Sequence, residues 1–210
     1  MIRVVHYVNQ FFGQIAGREK GGIGPRIVEG AVGPGVLIDK LLAGRGKVTA
    51  TVICGDDYFA EDPERVASEI TDLIVGQRPQ MFIAGPAFNA GPYGLACGKM
   101  CKTVQERLSI PAVTGMFPEN PGVGLYRRHV LIVETGRTAS AMAKAMPKMV
   151  KLSRRLLSGK RLGPASDEGY MPRLVKENVI TDKLAAERAI DYLLKKIRGE
   201  PVESEISLSR

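Results

Sequence analysis

The sequence has no apolar run approaching the roughly 18–20 residues that span a bilayer. Its N-terminus, MIRVVHYVNQFF, is too short and too polar for a signal peptide. A cytoplasmic protein with no membrane partner is therefore expected. Cysteine is scarce, and three cysteines cannot all pair within one chain, so free thiols in a reducing compartment are expected. The two histidines, His6 and His129, have no metal-ligand partner at a recognised spacing, no Ser-His-Asp constellation can be argued from residue order, and no metal is expected. Internal repeats and low-complexity tracts are missing as well. What remains is a chain of 210 residues, 44% hydrophobic and 25% charged, long enough to bury a core without staples. Its 24 glycines announce tight turns and close backbone approaches.

Acidic charge is missing from one place. Residues 127–161 hold ten Lys/Arg against the single acid Glu134, whereas the rest of the chain has twenty bases and twenty-one acids. The formal net charge of +8 is therefore a local feature. The segment's one aromatic, Tyr126, stands at its edge, and without interleaved aromatics a nucleic-acid partner is not expected. Lys144, Lys148, Lys151 and Arg155 follow a four, three, four spacing, with Met142, Met146, Met149 and Leu156 on roughly the opposite side. That pattern predicts an amphipathic helix whose methionine face packs on a sheet and whose cationic face meets water or an acidic partner subunit.

Short β-branched runs at 2–8, 48–54, 81–85, 111–116 and 129–135 read as strands. Helical periods fall at 62–77, opened by Asp62-Pro63, at 92–108, at 138–158, and from Thr181 to Ile197. Strands alternating with helices predict an α/β fold: a Rossmann-like, doubly wound, mainly parallel sheet in three α/β/α layers. One domain is expected over 1–198, with a long functional loop at 13–35, an excursion at 159–180, and a tail or linker at 199–210. The GAVGPG at 30–35 has glycines spaced GxxGxG instead of GxGxxG and does not directly follow one of these strands, so nucleotide binding is not expected there.

In an open parallel sheet, ligands bind outside the carboxyl ends of the strands. That rule names Tyr7, Asn9 and Gln10 after the first strand, and Cys54, Gly55, Asp56, Asp57, Tyr58 and Phe59 after the second. After the third come Gly85, Pro86, Phe88, Asn89, Gly91 and Tyr93, and after the fourth Gly115, Met116, Glu119, Asn120 and Pro121. These loops suit a small polar ligand, although each Asn or Asp alone is also an ordinary turn former. Cys54 is a weak candidate nucleophile, since two neighbouring acids raise its pKa. Cys97 and Cys101, four apart on a helix, read as packing residues. His6 reads as a core histidine inside the first strand.

The same loops carry a resemblance. VVHYVNQFFG (4–13), REKGG with EGAVGPG (18–35), ATVICGDDYF (50–59), FIAGPAFNAGPYGLACGKMCKTVQE (82–106) and IPAVTGMFPENPGV (110–123) resemble the N-terminal half of the large, usually selenocysteine-bearing subunit of component B of glycine, sarcosine and betaine reductases. The likeness continues through IVET (132–135) and EGYMPR (168–173). It implies an oxidoreductase subunit for reductive cleavage of the C–N bond of a small amino acid or its N-methyl derivative, with a disulfide as the formal acceptor. In that family a pyruvoyl carbonyl on a partner subunit activates the amine, and a selenol or thiol displaces it from the α-carbon. The product group then passes to the small selenoprotein component A.

The family's selenocysteine or cysteine lies in a C-terminal half that would follow Arg210. The resemblance therefore implies no cofactor on this chain and places the redox residue elsewhere. Implied partners are the pyruvoyl-bearing subunit, component A and the C-terminal redox half, in an oligomer. What carries over is a wall of the substrate cleft, built from the Cys54–Tyr58, Gly85–Tyr93 and Gly115–Pro121 loops. The alternative expectation is a non-catalytic binding or assembly module of such a complex.

Overall fold

The β-branched runs become one six-stranded sheet in the computed structural model, which describes residues 1–15, 17–159, 161–173 and 182–202. The strands are β1 (Ile2–Asn9), β2 (Arg26–Glu29), β3 (Gly46–Cys54), β4 (Met81–Phe88), β5 (Ala112–Met116) and β6 (Leu131–Glu134). They lie in the order β2-β3-β1-β4-β5-β6, every pair parallel except β2 with β3. Chain order reverses between β1 and β4. At such a reversal successive crossovers diverge to opposite faces and open a crevice at the carboxyl edge.

Helices cover both faces, so the fold is α/β. Towards one side point Val5, Tyr7, Ala50, Val52, Phe82 and Ala84, packed under α2 (Asp56–Glu61), α3 (Pro63–Val75), α4 (Gly91–Leu108) and α5 (Pro121–Tyr126). Their period-two neighbours Val4, Val48, Met81, Ile83 and Val113 point the other way, under α1 (Gly35–Leu42) and α6 (Met142–Leu157). All of β4 is buried, as a strand covered on both faces must be. Each large apolar side chain so buried contributes about 1.5–3 kcal/mol.

The chain divides into two compact units, Met1–Leu174 and Val175–Arg210. The sheet belongs to the first. The second contains α8 (Ala185–Ile197), where the Glu187 carboxylate accepts from the Leu184 N–H at 2.9 Å. Of the cap expected at Thr181-Asp182, Thr181 lies outside the described residues, as do 174–180 of the expected excursion and 203–210 of the tail.

Several expectations need correction. The stretch 13–35 is not all loop: Arg26–Glu29 pairs antiparallel along β3, and Gly35 opens the crossover helix α1. GAVGPG therefore does follow a strand, though an antiparallel edge strand. A four-residue strand and an eight-residue helix set among glycines are too short to show a period. Residues 56–59 and Pro121, expected in loops, belong to the short helices α2 and α5. His129 precedes β6 instead of heading it. The helix expected at 138–158 begins as a 3-10 turn at Ala139–Ala141 and continues as α6, with Met146 and Met149 buried and Lys144, Lys148 and Lys151 exposed. Inside the excursion, α7 (Ala165–Glu168) leads to Tyr170, which bridges Val133, and to the Met171 N–H, which donates to the Ile132 carbonyl at 2.7 Å. The open edge of β6 is thereby partly covered.

Candidate functional site

Because β1, β3, β4 and β5 are parallel, the segments leaving them meet along one rim, and side chains tie them together. Asn9, at the end of β1, donates from Nδ2 to Asp56 Oδ2 at 2.9 Å, while its Oδ1 accepts from the Phe12 N–H at 3.1 Å. Gln10 Oε1 accepts the Asp56 N–H at 3.0 Å. On the other side of the switch point, the Asn120 amide donates to the Phe88 and Ala90 carbonyls, both at 3.0 Å, and its Oδ1 caps the Gly122 N–H at 2.9 Å. Phe12 spans the two halves, with its ring centroid 6.1 Å from Phe88 and 5.8 Å from Tyr93. Sequence reasoning passed over Phe12. The signal available was its place three residues beyond β1, in the loop the switch-point rule points to.

Asp56 is electrostatically uncomfortable. Its Oδ1 is buried and has no hydrogen-bond partner among the described residues. Burial raises its pKa above the ordinary carboxylate value; the hydrogen bond from Asn9 and the nearby Gln10 side chain oppose that shift and the charge of Asp57 adds to it. Beneath it, Tyr7 and Tyr93 are fully buried with ring centroids 6.3 Å apart, and the Tyr7 hydroxyl also lacks a partner. Burial pushes both phenols well up.

The thiols sit deeper than the rim. Cys54 is fully buried, and burial, then the charges of Glu69 and Asp56, push it up to about 12. Cys97 and Cys101, on the buried face of α4, are free and also raised by burial. A thiol kept protonated and away from solvent is a poor nucleophile.

Not every candidate reaches the rim. Gly115 and Met116 lie within β5, and the Gly85-Pro86 peptide, which is cis, lies within β4. Tyr58 turns towards α3, its hydroxyl accepting from Arg65 at 3.2 Å. Asp57, Glu119 and Pro121 are exposed. Gly55 lets the chain pass close to the Gly21 carbonyl, which accepts the Asp57 and Tyr58 N–H groups, both at 3.0 Å. The first N–H groups of α2 are thus occupied.

The start of α4 differs. The N–H groups of Gly91 and Tyr93 have no acceptor among the described residues, and Pro92 between them has none to offer. Asn89, half-buried just before this helix, holds the neighbouring loop through its own N–H, which donates to the Arg137 carbonyl at 3.2 Å. A cavity of about 270 Å³ opens beside the same helix start, walled by Phe59, Pro63, Pro92, Leu95 and Leu125 among others. Among the described residues no group of three or more His, Cys, Asp or Glu is placed to hold a metal ion, and no helix is long and apolar enough to cross a membrane.

Comparison with known proteins gives a consistent answer. The family model of glycine/sarcosine/betaine reductase selenoprotein B matches residues 1–210. The chain is 46% identical over 204 residues to the sarcosine reductase complex component B subunit beta of Peptoclostridium acidaminophilum, covering 97% of this chain and 47% of that protein. It is 46% identical over 206 residues to the glycine reductase complex component B subunit gamma of Carboxydothermus hydrogenoformans, covering 98% and 47%. With the betaine reductase complex component B subunit beta of Peptoclostridium acidaminophilum, identity is 37% over 212 residues, covering 100% and 48%. The chain therefore spans about half the length of these relatives. No solved structure matches it significantly. The chain belongs to the glycine/sarcosine/betaine reductase selenoprotein B family.

Proposed function

We propose that the chain is a subunit or section of a glycine/sarcosine/betaine-type reductase complex in the cytoplasm, and that its carboxyl-edge rim forms one wall of the cleft for a small amino acid. The observation that carries this reading is the buried, unpartnered Oδ1 of Asp56 at the switch point of the sheet. The mostly parallel strand order, with its reversal between β1 and β4, supports a Rossmann-like, doubly wound assignment.

A glycine-type substrate is a zwitterion. Its cationic nitrogen suits Asp56 Oδ1, and its carboxylate suits the unpartnered N–H groups of Gly91 and Tyr93 at the positive end of an 18-residue helix. The raised pKa of Asp56 fits it to take a proton from an ammonium group before the nitrogen reacts. For a quaternary nitrogen, which has no N–H to donate, the rings of Phe12, Phe88 and Tyr93 supply polarisable walls. Cys54, Cys97 and Cys101 do not fit the attacking role. The pyruvoyl carbonyl and the selenol or thiol, implied by the resemblance on other polypeptide, would supply amine activation and attack at the α-carbon. This chain's part is to bind, orient and exclude water.

The test is amine release from glycine, sarcosine and betaine by the assembled complex, with the pyruvoyl subunit, component A and a redox half present. Release is expected to require this chain and to fall at least about tenfold with Asp56→Asn, the size of one lost charged contact. A rate unaffected by leaving out the chain would leave it the role of an assembly module, and an unchanged rate in the variant would remove Asp56 from the cleft.

A further inference from the structure

The basic helix has no part in that chemistry. We propose that the groove between α1 and α6 is a docking surface for an acidic, amphipathic protein segment. Its cavity of about 690 Å³ opens at the edge where the strands begin, opposite the candidate cleft, with half-buried Ile2, Leu41 and Leu157 in its walls and Arg45, Lys151 and Arg154 among its cations. Apolar walls inside a charged rim are the usual anatomy of a protein interface.

The helix's own needs do not account for its charge. Arg154 and Arg155 in the last turn complement the helix dipole, but Lys144 sits in the first turn, where a cation is disfavoured. Lys144, Lys148, Lys151 and Arg155 form a row at i, i+4 and i, i+3 spacing, and like charges so placed repel by about 0.2–0.5 kcal/mol per pair. Among the described residues Lys144, Lys148, Arg154 and Arg45 have no acid within ion-pair distance. The groove's one carboxylate, Glu168, is engaged by Arg155 at 3.0 Å and by the Gly163 N–H at 3.2 Å. An external acidic surface offsets this repulsion, and the concave apolar walls favour inserted side chains over a nucleic-acid backbone. The groove and the rim lie at opposite edges, so failure of this proposal leaves the cleft assignment standing.

The test titrates the whole chain with a labelled peptide of about 16 residues carrying Leu and Glu at helical spacing, beside a leucine-free glutamate peptide and an RNA oligonucleotide of equal charge. The Leu/Glu peptide is expected to saturate, to bind at least about tenfold more tightly than the other two, and to weaken in high salt. Arg45→Glu, Lys148→Glu and Arg154→Glu should each weaken it at least about fivefold, while Arg26→Glu on the exposed edge strand leaves it unchanged. Lys148→Glu relieves repulsion and should melt no lower than the parent, which separates lost docking from lost folding. No saturable binding, equal binding of RNA or of the leucine-free peptide, or equal weakening by Arg26→Glu overturns the proposal.

Discussion

Asp56 keeps one carboxylate oxygen bonded to Asn9 and the other buried without a partner, a cost to the folded protein. Because its pKa is raised, the folded state binds a proton more readily than the unfolded chain, so stability falls as pH rises through the carboxylate range and stays reduced above it. Asp56→Asn removes that cost: thermal unfolding at pH 7 should be no lower than in the parent, with any advantage shrinking towards acid pH. His6 works in the opposite sense. Burial pushes it down to about 4, although its Nε2 contacts the Gly85 carbonyl at 2.7 Å, so its contribution is complete above about 6.5 and is lost as pH falls towards 4. Denaturant unfolding at pH 5 and pH 7 should differ by about 2 kcal/mol on this account, and His6→Gln should remove most of the difference. Asn89 and Asn120 separate binding from folding. Asn120→Ala removes one of two hydrogen bonds to each of the Phe88 and Ala90 carbonyls and leaves the buried Gly122 N–H uncapped, and should cost about 1–3 kcal/mol. Asn89→Ala should weaken substrate binding in the assembled complex, measured by calorimetry, with no change in melting.

At the scale of elements, the rim depends on how closely α5 approaches α4. A Cβ on Gly122 would lie 2.6 Å from the Gly94 carbonyl oxygen, a backbone atom that cannot swing away. Gly122→Ala should therefore destabilise by about 1–3 kcal/mol in denaturant unfolding, through overpacking and displacement of the Asn120 cap. The long, periodic elements, β1, β3, β4, α3 and α4, are legible in the sequence, because burial on two faces or one leaves a pattern of apolar residues. β2, α2 and α5 are not: four to six residues carry no usable period, and what holds them in place is distant, such as the β3 edge or the Gly21 carbonyl. The same division runs through the candidate site. Strand order points to Asn9, Asp56 and Tyr93, whereas the commitment of Asn120 to backbone carbonyls and the place of Phe12 between the two halves depend on contacts some thirty and eighty positions apart in the chain.

As a whole, the first unit presents two edges of different character. Where the strands end, Asn9 and Gln10 hold Asp56, whose Oδ1 is buried without a partner among the described residues; where they begin, a cationic groove faces outward. The chain spans about half the length of its relatives. The most direct test is backbone hydrogen–deuterium exchange of this chain within the assembled complex, with and without glycine. Bound substrate is expected to slow exchange at Gly91 and Tyr93 and in the loops around Asn9 and Asp56, where its two charged ends are held. Slowing confined to the opposite edge, or no change at Gly91 and Tyr93 under saturating glycine, would contradict the account.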